Sequence, residues 1–318
     1  MVFLAGIDEA GYGPFVGPLV HGYSLFRVPD FDTELWSELA TSCDRKPART
    51  DKRRLWVNDS KKVHQGTLGR GRLERTVAAF RQILNTDTML DTWLSEKPAP
   101  TAKDLHHAPW FKDLAIPFCP STTLARSKLD ASSVQRDLYN AGCNLNAFGA
   151  RVVPAAEYNN FLDTLGNKGA TNFEIAMQCA RHIIEITGDA PLRIELDQHG
   201  GRTDYRHVLS KALNPQKIEV HGENSGGSTY SLHFSERTVQ LRFSSGADLA
   251  HLPVALASLA AKQSRERMMD CFNDYWCEQF PDLKPTKGYG VDGKRWLADI
   301  EPHLDDLQID RVILRRKR

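Results

Sequence analysis

Two adjacent carboxylates near the start of the chain are the first residues that could take part in chemistry. Asp8 and Glu9 end a short apolar run, residues 1–7, and a turn with two glycines and a proline follows at residues 11–14. The run predicts a buried strand, and the glycines allow another backbone or a ligand to approach closely. Because burying a charged pair is costly unless a cation neutralises it, one hypothesis is a divalent metal ion held by oxygen ligands. The alternative is an ordinary strand-end turn whose acids face water.

Two more acids stand at the ends of predicted elements far along the chain. Asp197 ends a predicted strand over residues 191–197, and a predicted helix that continues to about Leu213 follows it. Asp248 precedes a run of small apolar residues, 252–262, which predicts a buried helix. A helix cap is the alternative role for Asp248.

The four acids Asp8, Glu9, Asp197 and Asp248 could meet, because strand ends of one sheet can converge although they are distant in sequence. Carboxylates gathered in one place repel each other unless cations share the charge. Hard oxygen ligands favour Mg2+ or Mn2+, and two such ions can activate a water and stabilise the leaving oxygen of a phosphodiester. The sequence has no serine or cysteine nucleophile arrangement, zinc-type histidine spacing or P-loop. The pattern therefore favours metal-assisted phosphodiester hydrolysis.

Residues 43–62 form a locally basic stretch, with eight Lys or Arg against three Asp. Such clusters supply the sequence-independent part of nucleic-acid affinity, so a phosphate-facing surface is the functional hypothesis and a solvated loop is the alternative. Asp59 or Ser60 is expected to cap a short turn here. Lys61 would then project from a fixed backbone, which suits a phosphate contact.

Several segments are expected to position these residues. The sequence predicts a hairpin of the first strand with residues 19–26, helices over 73–84 and 172–186, and one or two strands over 229–243. The prolines and aromatic side chains of residues 86–150 predict a structured insertion, because disordered segments are poor in aromatics. The basic tail, 315–318, is expected to be solvated.

Composition narrows the class of protein. The 318 residues are 25% charged and 41% hydrophobic, with a net charge of +1, so any nucleic-acid surface must be a local patch. No apolar run is long enough to span a membrane, and we expect no secretion signal and no membrane partner. The six cysteines include no C-x-x-C pair and predict reduced thiols in a cytoplasmic protein.

Five motifs, taken in order, resemble those of the ribonuclease HII family. They are GIDEAGYGP at 6–14, NDSKK at 58–62, IELD at 194–197, the acid and buried helix of 247–267, and KGYG at 287–290. The resemblance covers both ends of the chain and leaves residues 86–150 unaccounted for.

The resemblance implies a mixed α/β fold of the RNase H-like type, in which a mixed β-sheet is flanked by helices. Residues 1–85 and 151–282 would form the catalytic domain, 86–150 an insertion of unknown role, and 283–318 a small C-terminal helical segment with a basic tail. It further implies a monomeric endonuclease that uses Mg2+ or Mn2+. Its substrates would be RNA–DNA hybrids or DNA duplexes with embedded ribonucleotides, cut on the 5′ side of the ribonucleotide.

Site residues follow from the same resemblance. Its metal ligands and catalytic residues would be Asp8, Glu9, Asp197 and Asp248. Its substrate-binding residues would be Gly11, Tyr12, Gly13, Ser60, Lys61 and Tyr289. The backbone amides of the two glycines would sense the 2′-hydroxyl, by which proteins distinguish RNA from DNA. The tyrosine at 289 would contact a sugar, and the serine–lysine pair would contact phosphates.

Three positions depart from the family pattern. Tyr12 stands where a basic residue, most often Arg, is usual, which removes a cation from the neighbourhood of the scissile phosphate. Glu266 replaces a more usual Asp, and Asp197 is followed by Gln-His-Gly-Gly in place of Gly. Two other hypotheses therefore stay open: a metal-dependent nuclease for another structured nucleic acid, and a non-catalytic hybrid-binding protein.

Overall fold

A computed structural model of the chain describes residues 1–85, 87–95, 98, 105 and 107–317. The strands are β1 (Val2–Ala10), β2 (Leu19–Val28), β3 (Cys43–Asp44), β4 (Leu55–Trp56), β5 (Asn144–Val153), β6 (Leu192–Asp197), β7 (Lys217–Asn224), β8 (Gly227–His233) and β9 (Thr238–Ser244). The helices are α1 (Leu35–Glu38), α2 (Ser60–Val63), α3 (Gly69–Ile83), α4 (Leu90–Ser95), α5 (Leu124–Asn140), α6 (Ala155–Leu165), α7 (Lys168–Ile186), α8 (Arg206–Leu213), α9 (Ala247–Ala250), α10 (Leu252–Gln279), α11 (Gly290–Ile300) and α12 (Arg311–Leu314), with single 3-10 turns at Pro109–Phe111 and Glu301–His303.

Seven strands form the central sheet in the order β5-β2-β1-β6-β9-β8-β7. The first two strands pair antiparallel as the predicted hairpin. β1 and β6 are parallel, as are β6 and β9, whereas the outer pairs are antiparallel. The predicted mixed sheet flanked by helices is confirmed, and β8 and β9 are the two strands expected within 229–243.

Alternation along β1 separates two apolar cores. Ala5 and Ile7 belong to the core under α7 and α8, and Leu4 belongs to the larger core that contains α10. Helix α10 lies directly on the sheet backbone, since a Cβ atom at Gly6 would lie 2.2 Å from the carbonyl carbon of Pro253. The sheet can therefore place its central acids against this helix.

Helix α10 is longer than the sequence predicts, because it continues to Gln279, whereas the apolar run ends near residue 262 and the helix motif ends at residue 267. The apolar pattern that predicts the helix stops at the polar residues 263–267, so the pattern does not indicate that the helix continues. In the structure this run is buried. Arg265, for example, donates to the carbonyl of Lys287 at 2.9 Å.

The stretch predicted as an insertion contributes to the main body of the protein. Strand β5 begins at Asn144 and pairs with β2 at one edge of the sheet. Trp93 stacks on Phe118 and meets the edge of Phe148 within the larger core. The role and domain boundaries of residues 86–150 remain predictions, and residues 86, 96–97, 99–104 and 106 lie outside the described part.

The predicted solvated tail is confirmed for Arg315 and Lys317, which are exposed, and is wrong for Arg316; Arg318 lies outside the described residues. Arg316 is 2% exposed, and Arg315 forms a β-bridge with Val16. The basic composition of the tail predicted that its side chains face water. Inside the protein, however, backbone carbonyls accept hydrogen bonds from Arg316, and an aromatic ring lies beside its guanidinium. In the described part of the chain, no helix combines the length and apolar character needed to cross a bilayer.

Candidate active site

Strand pairing brings two of the predicted acids to one edge of the sheet. The register of the parallel strands β1 and β6 ends with Ile7 opposite Leu196. Asp8 and Asp197 are the next residues on their strands, and Glu9 follows the first of them. Strands that run in the same direction end at the same edge, so residues far apart in sequence become neighbours.

Asp248 reaches this edge through the turn after β9. The amides of Gly246 and Ala247 donate hydrogen bonds to Asp197 Oδ1 at 2.9 and 3.2 Å. These bonds hold the first turn of α9, which carries Asp248, against the end of β6. The N-terminal caps of α9 and α10 are Gly246 and His251. Asp248 caps neither helix, so the helix-cap alternative for Asp248 is wrong.

The charges of the carboxylates act on one another. Burial raises the pKa of Asp8 well above its usual value, and the charges of Glu9 and Asp197 raise it further. Burial and Asp197 also raise the pKa of Glu9. The pKa of Asp248 is raised by burial, then by Asp59 and by Asp197. Since Asp197 acts on each of the other three, the predicted acids share one electrostatic environment.

Polar groups from two helices orient the first pair of acids. Ser258 on α10 lies beside Asp8, and Asn172 on α7 lies beside Glu9; each polar side chain lowers the pKa of the carboxylate next to it. The charge of Lys61 also lowers the pKa of Glu9. Consecutive strand residues point to opposite faces, which explains why the two acids contact different helices.

The donor set fits a hard divalent cation. All four candidate ligands are carboxylates, the donors that Mg2+ and Mn2+ prefer. The raised pKa values of Asp8, Glu9 and Asp248 reflect burial and crowded negative charge, which a cation would relieve. Across the residues with described positions, no three His, Cys, Asp or Glu side chains form a ready-made metal site. Metal ligation by the four acids therefore stays a prediction.

The segment that opens α2 lies beside the acids. Asp59 caps the helix as predicted, because its side chain accepts a hydrogen bond from the amide of Lys61 at 2.9 Å. Ser60 is buried, and its Oγ lies 3.1 Å from Oγ of Ser258, the neighbour of Asp8. The phosphate contact expected of Ser60 stays a prediction. Lys61 is exposed.

The glycine turn and the segment around Tyr289 adjoin each other. Gly11 has a φ of +88°, the left-handed conformation that favours glycine. The amide of Phe15 donates to the carbonyl of Gly288 at 2.8 Å. A Cβ atom at Gly13 would lie 3.9 Å from Cε1 of Tyr289. The ring at the second segment therefore stands beside the turn.

Two tyrosines give this region an exposed aromatic surface. Tyr12 is 41% exposed and Tyr289 is 43% exposed. The guanidinium of Arg265 lies 5.0 Å from the centre of the Tyr289 ring. Aromatic faces of this kind can stack on sugars or bases of a nucleic acid.

Sequence reasoning missed three residues that contact the site. Ser258 is a polar residue within an apolar helix, a signal that could have been noticed. Asn172 is predicted from sequence only as the start of a helix. Arg316 has no local signal, because only the folded chain brings the C-terminal segment to the glycine turn.

No family model and no curated protein matches the sequence. Solved structures are similar over most of its length. Ribonuclease H2 from Pyrococcus horikoshii OT3 is 15% identical, with 98% of this chain and 92% of that chain covered and a TM-score of 0.46. RNase HII of Archaeoglobus fulgidus, solved in a complex with PCNA, is 15% identical, with coverage of 99% and 94% and a TM-score of 0.43. Bst-RNase HIII, solved with Mn2+, is 12% identical, with coverage of 99% and 66% and a TM-score of 0.46. At these sequence identities and TM-scores, the activity, metal and substrate of these proteins cannot be assigned to this chain.

Proposed function

We propose that this protein is a metal-dependent endoribonuclease of the ribonuclease H type. It hydrolyses the RNA strand of RNA–DNA hybrids, or the backbone at ribonucleotides embedded in duplex DNA, and leaves 5′-phosphate and 3′-hydroxyl ends. One observation carries the proposal: parallel β1 and β6 end with Asp8 and Asp197 side by side, and the amides of Gly246 and Ala247 bind Asp197 and so bring Asp248 to the same edge. Residues gathered from nearly the whole length of the chain would not share this edge in a simple strand-end turn.

The four carboxylates would hold the metal ions. Bound Mg2+ or Mn2+ would supply Lewis-acid activation of a water and stabilisation of the leaving oxygen in an in-line displacement. Ser258 beside Asp8 and Asn172 beside Glu9 lower the pKa of these carboxylates and so favour the ionised form that such ligation requires. Polar neighbours of this kind can also orient the ligands.

The remaining predicted residues would bind the nucleic acid. Lys61 is exposed beside the acids and would attract a backbone phosphate. The amides of Gly11 and Gly13 would contact the 2′-hydroxyl. Tyr289, next to the turn, would pack on the neighbouring sugar. Together these contacts would place the ribose and its phosphate at the carboxylate edge.

The substitution Asp8→Asn tests the proposal directly. It removes one negative charge from the predicted ligand set while keeping the side-chain size, so we expect cleavage of an RNA–DNA hybrid to fall by at least about a thousandfold. The measurement is strand cleavage with Mg2+ or Mn2+, together with thermal unfolding to show that the variant is folded. Asp282→Asn, at an exposed position, is the matched control. Full activity of a folded Asp8→Asn protein would contradict the proposal.

A nuclease for another structured nucleic acid is the second candidate. The exposed Tyr12 favours it, because the turn itself offers no cation to the scissile phosphate. Duplexes with and without one ribonucleotide separate the candidates: equal cleavage of both would favour the second. Tight hybrid binding without turnover would instead favour the non-catalytic hybrid-binding hypothesis.

The cellular setting and assembly remain predictions. The cytoplasmic location stays a prediction that rests on the cysteine pattern of the sequence. A monomer remains the expected state, and light scattering of the purified protein measures it.

A further inference from the structure

The C-terminal segment holds the glycine turn from the inside of the protein. Arg316 is 2% exposed, and its Nη2 donates to the carbonyls of Gly11 and Pro14 at 2.6 and 2.5 Å. Its backbone amide donates to the carbonyl of Phe15 at 2.8 Å. One residue thus bonds three carbonyls of the turn, although about 300 positions separate them in sequence.

The position of Arg316 is itself secured by α6. Asn159 Nδ2 donates to the carbonyl of Arg315 at 2.9 Å, and the amide of Lys317 donates to Asn159 Oδ1 at 2.7 Å. The ring centre of Tyr158 lies 5.0 Å from the guanidinium of Arg316. Contacts on both sides of the arginine therefore aim its side chain at the turn.

The hydrogen bonds of Arg316 continue to the Tyr289 segment. The carbonyl of Pro14 and the amide of Phe15 belong to one peptide unit, and this amide donates to the carbonyl of Gly288 at 2.8 Å. Hydrogen bonds in series polarise and strengthen one another. The arginine, the turn and the segment that carries Tyr289 are therefore linked through a single peptide unit.

The same geometry aims an amide outward from the turn. The carbonyl of Gly11 accepts from Arg316, and this carbonyl shares its peptide unit with the amide of Tyr12. A charged donor on the carbonyl polarises the unit, which makes that amide a better hydrogen-bond donor. Tyr12 itself is 41% exposed, so this part of the turn is open to a ligand.

A second buried arginine lies beneath the turn. A Cβ atom at Gly11 would lie 2.5 Å from Nε of Arg265, whose side chain is fully buried. Burial and the charge of Arg265 lower the pKa of Arg316 to about 10, which leaves Arg316 cationic at neutral pH, and a guanidinium such as that of Arg265 stays protonated in proteins. Their positive charge lies behind a turn whose own side chain, Tyr12, is uncharged.

We propose that Arg316 is a positioning residue that determines specificity for ribonucleotides. It fixes the positions of the glycine-turn amides and the Tyr289 ring relative to each other. A ribose that carries a 2′-hydroxyl fits this arrangement. This inference rests on the proposed function, because it assigns a reason for the discrimination between RNA and DNA. It requires no contact between Arg316 and the nucleic acid.

Binding without divalent metal tests the inference apart from cleavage. Two fluorescent duplexes of one sequence are compared in EDTA, one all-DNA and one with a single central ribonucleotide. We expect the unmodified protein to prefer the ribonucleotide duplex and Arg316→Gln to reduce that preference about tenfold, the loss typical for a charged hydrogen bond. Affinity for the all-DNA duplex should be unchanged. Arg316→Lys, which keeps the charge but places it on a single donor nitrogen, should give an intermediate preference.

Lys317→Gln is the matched control. Lys317 is adjacent, and its ammonium pairs with Asp163 at the surface, so this variant should keep the full preference. Hydrogen exchange of the Phe15 amide should accelerate in Arg316→Gln and Arg316→Lys and stay slow in the control. If Arg316→Gln does not fold, Arg316→Lys decides by the same two measurements.

The outcomes separate this inference from the proposed function. Equal affinity of the unmodified protein for both duplexes would overturn this inference, whereas the proposed function is decided separately by the metal-dependent cleavage measured with Asp8→Asn. A preference that survives intact in the folded Arg316 variants would overturn the inference alone.

Discussion

Glu266 shows at the residue scale how neighbours decide the charge state of a buried group. Burial by itself raises the pKa of this carboxyl, but the combined effect of Lys262, one helical turn earlier, and further neighbours outweighs burial, and the net pKa lies below the usual value. The Nζ of Lys262 is 2.5 Å from Glu266 Oε1, and Lys287 adds positive charge. Glu266 and Lys262 thus form a buried ion pair within α10.

Glu266→Gln should therefore destabilise the protein in a pH-dependent way. A carboxyl with a lowered folded pKa stabilises above its unfolded pKa of about 4.3, and this contribution disappears as the pH falls through the folded pKa. We expect a loss of about 2 kcal/mol near pH 7 and no difference from the unmodified protein in strong acid. Urea unfolding across pH measures it. The exposed Glu278→Gln on the same helix should show no such trend, and an equal deficit at every pH would refute the argument.

At the element scale, α10 and the sheet fit together because two strands present glycine where the helix approaches. Besides Gly6 on β1, Gly22 on β2 faces the helix, and a Cβ atom there would lie 2.0 Å from the carbonyl oxygen of Ala257. The small residues of α10 are needed for the same close approach. This packing places Ser258 against Asp8, so the helix supports the site as well as the core.

Gly22→Ala should destabilise the protein although it adds a single methyl group. The added Cβ would meet helix backbone, which cannot move aside as a flexible side chain can, so we expect a cost of about 3 kcal/mol. Thermal or urea unfolding provides the measurement. Gly222→Ala on β7 is the control, because its Cβ would meet only Nδ2 of Asn224 at 3.9 Å. Similar stability of the two variants would refute the close approach of α10.

At the scale of the whole molecule, a net charge of +1 conceals an uneven distribution. The loop between β3 and β4 exposes five cations, namely Arg45, Lys46, Arg49, Lys52 and Arg53. Asp44 and Asp51 are paired with Arg54, so they do not neutralise these five. The loop also adjoins the candidate site, since Asn58 donates to the carbonyl of Arg45 at 2.8 Å.

Neutralising this loop should weaken duplex binding in a salt-dependent way. For the triple variant Lys46→Gln, Arg49→Gln, Arg53→Gln, we expect the slope of log affinity against log salt to become shallower by about 0.9 for each phosphate that the loop no longer neutralises. Fluorescence titration of a duplex at several salt concentrations measures the slope. The exposed set Arg206→Gln, Lys211→Gln, Lys217→Gln is the control with the same charge change. Equal slopes in the two variants would support the solvated-loop alternative.

The sequence by itself determined the features that depend on local patterns. Apolar periodicity indicated the first hairpin, helix α7 and strands β8 and β9, and the local hydrogen bond of Asp59 made the cap of α2 predictable. Helix α10 shows the limit of this reasoning: its polar residues after position 262 are buried against distant segments, so its length was underestimated.

Only the tertiary structure decided which distant residues meet. Parallel register between β1 and β6 sets Asp197 beside Asp8, and the chain's return over the turn brings Arg316 to Gly11. The partners of a buried charge come from other parts of the chain, and no local pattern records them. That is why the acids could be named from sequence, whereas the arginine that supports the turn was expected in solvent.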